Sequence, residues 1–125
     1  MTTPLGAADF FALEAGECLD RLATLASQPG PPPADEFLRT ARVLRGSALM
    51  AAQTHIARAA AGLETVARGY RDRKLTWDAS TRERVAQAVE DFRLLVRRVR
   101  DWGEADTARA NRLAADLRNQ TDSAT

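Results

Sequence analysis

Apolar residues recur along most of the chain at alternating spacings of three and four, which is the period of an amphipathic α-helix. The first stripe consists of Phe11, Ala15, Cys18, Leu22 and Leu25. The second consists of Leu38, Ala41, Leu44 and Ala48, with spacings of three, three and four, and Met50 is a further candidate two residues later. The third consists of Ile56, Ala60, Leu63, Ala67 and Tyr70. The fourth consists of Val85, Val89 (or Ala88), Phe92, Val96 and Val99. The pattern therefore predicts four helices, each with a single apolar side.

Helix-breaking and capping residues between the stripes predict where these helices begin and end. The proline-rich run over residues 28–33 predicts a short extended connector after a helix that ends near Ser27. Thr54 is a plausible N-cap for the third helix. Ser80 and Glu83 have the spacing of a capping box at the start of the fourth helix, and Gly103 predicts its end.

Four one-sided helices joined by short loops predict an all-α fold, an antiparallel up-down-up-down four-helix bundle. None of these helices is expected to be stable alone, because each has one apolar face that must be covered. A weaker stripe containing Ala105, Ala108, Leu113 and Leu117 predicts a short fifth helix that packs on the end of the bundle. We expect residues 1–119 to form one domain and residues 120–125 to be a disordered tail.

The length and composition of the chain favour a single domain without a nucleic-acid or membrane partner. A chain of 125 residues has room for one domain, and 18 basic against 17 acidic residues give no reason to expect a nucleic-acid partner. No stretch approaches the roughly 18 apolar residues of a membrane span, and no secretory signal is visible, so we expect a cytoplasmic protein without a membrane partner. The single cysteine, Cys18, cannot form an internal disulfide and is expected to be a small core residue.

Few residues in the chain are suited to catalysis. It has one His, one Cys and one Tyr, and it contains no HExxH, CxxC or glycine-rich phosphate-binding motif. His55, the only imidazole, has no second His or Cys nearby to complete a metal site and is expected to lie partly exposed at the start of the third helix. We therefore expect no enzyme activity, no cofactor and no metal site.

The segment over residues 41–48, ARVLRGSA, resembles the signature of histidine phosphotransfer (HPt) domains. That signature is a His, any residue, then Leu, Lys, Gly, Ser or Gly, and Ala; here Leu44, Gly46, Ser47 and Ala48 match, and Arg45 stands in for the Lys. Residues 11–22 are similar to the first helix of the phosphotransfer domain of chemotaxis-type histidine kinases. Glu64 falls where that family has its conserved Glu, and the similarity covers residues 10–101.

The main departure from the family concerns the phosphoacceptor. Arg42 occupies the position of the phosphorylated His, and Ala61 occupies the position of a second His that chemotaxis-type members carry. A neutral imidazole offers a ring-nitrogen lone pair near pH 7, whereas a guanidinium stays protonated and acts only as a donor. The resemblance therefore implies a degenerate phosphotransfer site, composed of Arg42, Arg45, Ala61 and Glu64, that has lost its chemistry.

In the family this face docks onto a response-regulator receiver domain, whose phosphoacceptor pocket is acidic. Arg39, Arg42 and Arg45 lie three residues apart and so share one helix face. We expect these arginines, with Gly46 and Leu49, to bind a receiver domain or a histidine kinase without phosphoryl transfer. The protein itself is expected to be a monomer, although the sequence leaves its oligomeric state open.

Two other functions remain open. The first is active phosphotransfer through an atypical acceptor such as His55. The second is a plain structural or dimerisation bundle, in which the arginines form a solvated face that pairs with Glu64, Asp35 or nothing. Surface ion pairs contribute only about 0–1 kcal/mol each, so stability alone gives little reason for three arginines there.

Overall fold

The computed structural model describes residues 6–123, which form five α-helices and no strand. The helices are α1 (Ala7–Ser27), α2 (Ala34–Met50), α3 (Thr54–Arg71), α4 (Ala79–Arg97) and α5 (Glu104–Ser123). The all-α prediction is confirmed. In this part of the chain no helix is both long enough and apolar enough to cross a membrane.

The helices pack so that α1 lies against α2 and α4, while α3 lies against α2 and α5. The helices α4 and α5 also touch, whereas α3 and α4 make few contacts with each other. Ion pairs tie α1 to its neighbours: Arg21 contacts Glu36 of α2, and Arg93 of α4 lies 2.9 Å from Asp20. The fifth helix thus fills the space between α3 and α4.

The core is composed of the predicted stripes. Leu44, Leu63 and Phe92 are fully buried, and every other predicted stripe residue of the first four helices except Met50, Tyr70 and Val99 is buried as well. Met50 is 92% exposed, because it follows Ala48 by only two residues and so lies about 200° round the helix from the buried stripe, on the outer face of α2. The largest buried side chains, including Phe37, Leu19 and Ile56, fill the space between the helices.

Three aromatic side chains close one end of the core. Phe37, Tyr70 and Trp77 pack in tilted and edge-to-face pairs with ring centroids 5.5–6.3 Å apart. The Tyr70 hydroxyl donates a 2.7 Å hydrogen bond to the carbonyl oxygen of Pro32, which fixes the proline-rich connector against α3. Burial raises the pKa of Tyr70.

The fifth helix differs from its prediction. It is 20 residues long and packs along α3, not on the end of the bundle. A Cβ added at Gly62 would lie 3.1 Å from Leu117 Cβ, so the absence of a side chain there permits this close approach. The predicted stripe is only half right, because Leu113 and Leu117 are buried with Ala110 and Ala114, while Ala105 and Ala108 are exposed.

The tail that was predicted to be disordered, residues 120–125, overlaps the end of α5. Residues 120–123 are helical, Gln120 is buried, and the Thr121 methyl lies 3.7 Å from a Cβ added at Gly69. Burial of Gln120 and the packing of Thr121 beside Gly69 of α3 favour a helical last turn, which the polar sequence alone does not predict. Residues 124 and 125 lie outside the described residues, as do residues 1–5 of the predicted domain.

The helix boundaries follow the sequence signals at some ends and not at others. Helix α1 ends at Ser27 as predicted, but Thr54 is the first residue of α3 and its side chain does not cap the helix. The predicted stop at Gly103 is also wrong, because α4 ends at Arg97 and Gly103 precedes α5. There the Gly103 amide donates to Asp106 Oδ2, at 2.9 Å.

The N-cap of α4 is Asp78, not the predicted Ser80. Asp78 Oδ1 accepts a 2.8 Å hydrogen bond from the backbone N–H of Thr81, and this bond lowers the pKa of the Asp78 carboxyl. A carboxyl group with a lowered folded-state pKa stabilises the protein above its unfolded pKa and loses that contribution as pH falls through its folded pKa.

Replacing this cap is therefore expected to have an effect that depends on pH. Asp78→Ala should lower the thermal unfolding midpoint at pH 7, and the difference from wild type should shrink below the ordinary Asp pKa of 3.8. Thermal melts followed by circular dichroism, at pH 7 and at a pH below 3.8, measure the difference between the two unfolding midpoints. Ser80→Ala is the matched control; a loss at pH 7 as large as that of Asp78→Ala would show that the cap is assigned to the wrong residue.

Candidate functional site

Helix α2 presents the arginine face that the sequence predicts. The side chains of Arg39 and Arg42 are exposed and that of Arg45 is half-buried. Gly46 follows on the same helix, and a Cβ added there would have no atom within 4 Å, so its surroundings are open. Leu49 is 57% exposed near the end of the helix. All five residues expected to bind a partner are thus at least partly accessible.

A buried carboxylate on α3 holds part of this face in place. Glu64 is 4% exposed, and its Oε1 accepts a 3.0 Å hydrogen bond from Arg42 Nε. Arg45 Nε lies 2.8 Å from Glu64 Oε2, as an ion pair whose N–H is not aligned for a hydrogen bond. Two predicted members of the degenerate phosphotransfer site therefore converge on the third, across the contact between α2 and α3.

A third arginine, Arg68, completes the cluster. Its Nη2 donates a 3.0 Å hydrogen bond to Glu64 Oε1 from one turn further along α3. Arg68 was not among the residues predicted for this site, although its spacing of four residues from Glu64 is the signal of a helical ion pair. We call Arg42, Arg45 and Arg68 with Glu64 the arginine cluster. It carries three guanidinium groups on one carboxylate.

The other expected members take no part in these ion pairs. Within residues 6–121, Arg39 makes no ion pair with Glu64, Asp35 or any other carboxylate. Ala61 is half-buried, and its carbonyl oxygen accepts a 3.0 Å hydrogen bond from the Thr65 hydroxyl. Its methyl side chain supplies no ionisable group beside Glu64.

His55 lies away from the cluster. It is nine residues before Glu64 on α3, which is roughly 13 Å along the helix axis. Its ring is stacked on Trp102 with centroids 6.0 Å apart and an interplanar angle of 5°, and its Nδ1 is buried without a hydrogen-bond partner. The side chain is partly exposed, as predicted, and belongs to a contact between α3 and the α4–α5 loop.

Cys18 occupies the core position predicted for it. It is buried on α1 as a free thiol, and burial, followed by the nearby charges of Glu14 and Glu17, raises its pKa. A raised pKa keeps the thiol neutral, which is the opposite of what a reactive cysteine needs. Among the described residues no group of three or more His, Cys, Asp and Glu side chains is placed to hold a metal ion.

The chemistry available to the arginine cluster is anion binding. Guanidinium groups are donors that remain protonated, and they match carboxylate and phosphate oxygens well. They offer no lone pair for nucleophilic attack on a phosphoryl group. The geometry thus brings together Arg42, Arg45 and Glu64 in one cationic cluster, to which Arg68 is added.

Comparison of the chain with family models, with curated proteins and with solved structures gave no match. The likeness to HPt domains therefore rests on the sequence pattern over residues 41–48, on the similarity over residues 11–22 and on the position of Glu64.

Proposed function

We propose that this protein is a non-catalytic pseudo-HPt module that docks a response-regulator receiver domain in a cytoplasmic two-component or chemotaxis-like pathway. One observation carries the proposal. The Arg42 side chain, at the position where HPt domains have their phosphorylated His, is 49% exposed and is held by the buried Glu64. The position that would contact a receiver thus presents a fixed cation and no nucleophile.

The proposed fold is the antiparallel bundle of that family, with its helices alternating in direction. Arg21 near the end of α1 contacts Glu36 near the start of α2. Arg93 of α4 pairs with Asp20 of α1, and Arg100, just after the end of α4, pairs with Asp9, so later residues on one side meet earlier residues of α1. Both patterns support antiparallel neighbours, in line with the short connector over residues 28–33.

The face of α2 has the mixed character of a docking surface. Beside the arginines it carries exposed apolar side chains: Val43 is 44% exposed, Leu49 is 57% exposed and Met50 is 92% exposed. Interfaces are enriched in arginine and methionine, and a cationic centre suits the acidic pocket that the resemblance implies for a receiver. An arginine that enters such a pocket can form charge-assisted contacts with its carboxylates.

The test is a titration of candidate receiver domains with wild-type protein and with Arg42→Ala. If Arg42 is a central contact worth about 2 kcal/mol, the variant should bind roughly 30-fold more weakly in isothermal titration calorimetry. Arg109→Ala is the matched control, since Arg109 is an exposed arginine of α5 that makes no ion pair among the described side chains. Equal affinity for wild type and Arg42→Ala would remove Arg42 from recognition.

The same material separates the two other functions. Incubation with a histidine kinase and radiolabelled ATP should leave the protein unlabelled; acid-labile label that disappears in His55→Ala would favour phosphotransfer through that residue. Sedimentation should show a monomer. A tight homodimer that covers the Arg42 face would favour a structural bundle instead.

A further inference from the structure

We infer that the arginine cluster is an oxyanion site that binds the phosphoryl group of an aspartyl-phosphate, so that the protein binds a phosphorylated receiver more tightly than an unphosphorylated one. The identity of the partner rests on the proposed function. The oxyanion site itself rests on the charges and contacts of four described side chains.

The arginine cluster carries an excess of positive charge. Arg42, Arg45 and Arg68 share the single carboxylate of Glu64, which leaves two formal positive charges unbalanced. None of the three arginines contacts a second carboxylate within residues 6–121. The nearby Asp72 is paired with Arg71. A phosphoryl group carries about two negative charges at pH 7, whereas one carboxylate would neutralise only half of the excess.

The second step is the supply of hydrogen-bond donors. The hydrogen bonds to Glu64 use one nitrogen of Arg42 and one of Arg68, and each guanidinium has further N–H groups. The three side chains are 42–49% exposed. Arg45 Nε is itself buried, so the exposed part of that side chain lies elsewhere on it. Donors thus remain within reach of a tetrahedral group that arrives from solvent.

The third step is pre-organisation. Free arginine side chains lose considerable rotamer entropy when they bind a ligand, and this loss weakens binding at most surface clusters. Here Glu64, which is 4% exposed and fixed on α3, already holds all three guanidinium groups within 3.0 Å of its carboxylate oxygens. The cost of ordering them is met by folding. Binding of an oxyanion can then use their bidentate geometry directly.

The test has two arms. In the first, inorganic phosphate is titrated into ¹⁵N-labelled protein at constant ionic strength, and the arginine Nε–H resonances are followed by NMR. We expect saturable shifts for Arg42, Arg45 and Arg68, and loss of the saturable shift of Arg68, the one cluster arginine that remains, in the double variant Arg42→Gln/Arg45→Gln. Arg109→Gln should keep the saturable response. Backbone spectra of each variant show whether the fold is intact.

In the second arm, binding of a candidate receiver is measured with and without beryllofluoride, which mimics the phosphoryl group on aspartate. We expect at least tenfold tighter binding with beryllofluoride, and equal binding in both states for Arg42→Gln/Arg45→Gln. Because Gln lacks the charge but keeps much of the side-chain length, it separates charge recognition from shape.

The outcomes distinguish the two claims. Saturable phosphate shifts without binding of any receiver would support the oxyanion site and count against the proposed function. Receiver binding that ignores beryllofluoride, together with phosphate shifts that are linear or identical in the Gln variant, would overturn the oxyanion site and leave the docking function standing. A response to chloride as strong as that to phosphate would also overturn it.

Discussion

Leu63→Asp is expected to unfold the protein. Leu63 lies on α3 with no solvent exposure, in the middle of the core. Truncating a buried Leu costs about 2–5 kcal/mol, and leaving an unpaired carboxylate in an apolar environment costs several more unless it is protonated. Domains of this size have a total stability of about 5–15 kcal/mol. The change should therefore remove most or all of it.

Circular dichroism at 222 nm and a urea titration measure this result. The matched control is Leu13→Asp, because Leu13 is 61% exposed on α1 and the same chemical change there buries nothing. Leu13→Asp should keep the wild-type urea midpoint within a small margin. A cooperative transition for Leu63→Asp near the wild-type midpoint would show that this part of α3 is not in the core.

The arginine cluster is expected to respond to substitution non-additively. Each of Arg42→Ala, Arg45→Ala and Arg68→Ala leaves two guanidinium groups on Glu64, so each should cost less than about 1 kcal/mol. Removing all three leaves a buried carboxylate without a counter-charge, a situation that costs about 3–5 kcal/mol. The triple variant should therefore lose more than the sum of the single variants.

Urea unfolding of the three single variants, the triple variant and a quadruple variant tests this. The quadruple variant adds Glu64→Leu, which removes the buried charge, and should recover most of the stability lost by the triple variant. If the losses of the single variants add up to the loss of the triple variant, Glu64 is hydrated and does not depend on the arginines. Lack of recovery in the quadruple variant would count against the buried-charge account.

The part of the fold that could be predicted is the part governed by helical period. The stripes of the first four helices contain large apolar side chains at regular spacing. These side chains are buried because the helices pack with their apolar faces against one another. The end of α2 is an instructive exception. Met50 was a candidate for the stripe, but it follows Ala48 by two residues instead of three or four, so the helical period places it on the exposed side of α2.

The role of α5 could not be predicted, because its packing depends on what the facing helix lacks. Leu117 and Ala114 lie against Gly62, where a Cβ would be crowded at 3.1–3.4 Å. A glycine inside a helical pattern signals weakness when the helix is considered alone. Only the neighbouring helix shows that the glycine provides space.

The candidate site was predictable as a set of positions, not as a geometry. The resemblance to the HPt signature predicted that Arg42, Arg45 and Glu64 belong to one site. The structure brings these three together across two helices. The sequence did not predict that Arg39 would make no ion pair or that Arg68 would also bind Glu64. Which arginine reaches a buried carboxylate depends on helix rotation and side-chain length, which periodicity alone does not determine.

The position of α5 has a consequence for synthesis on the ribosome. Helices α1 to α4 emerge first, since proteins are made from the N-terminus and domains fold as their elements become available. Until α5 follows, the side of α3 at Gly62 lacks the cover that Leu117 and Ala114 provide. We therefore expect this part of the apolar interior to stay open to chaperones and proteases until α5, Glu104–Ser123, has left the ribosome.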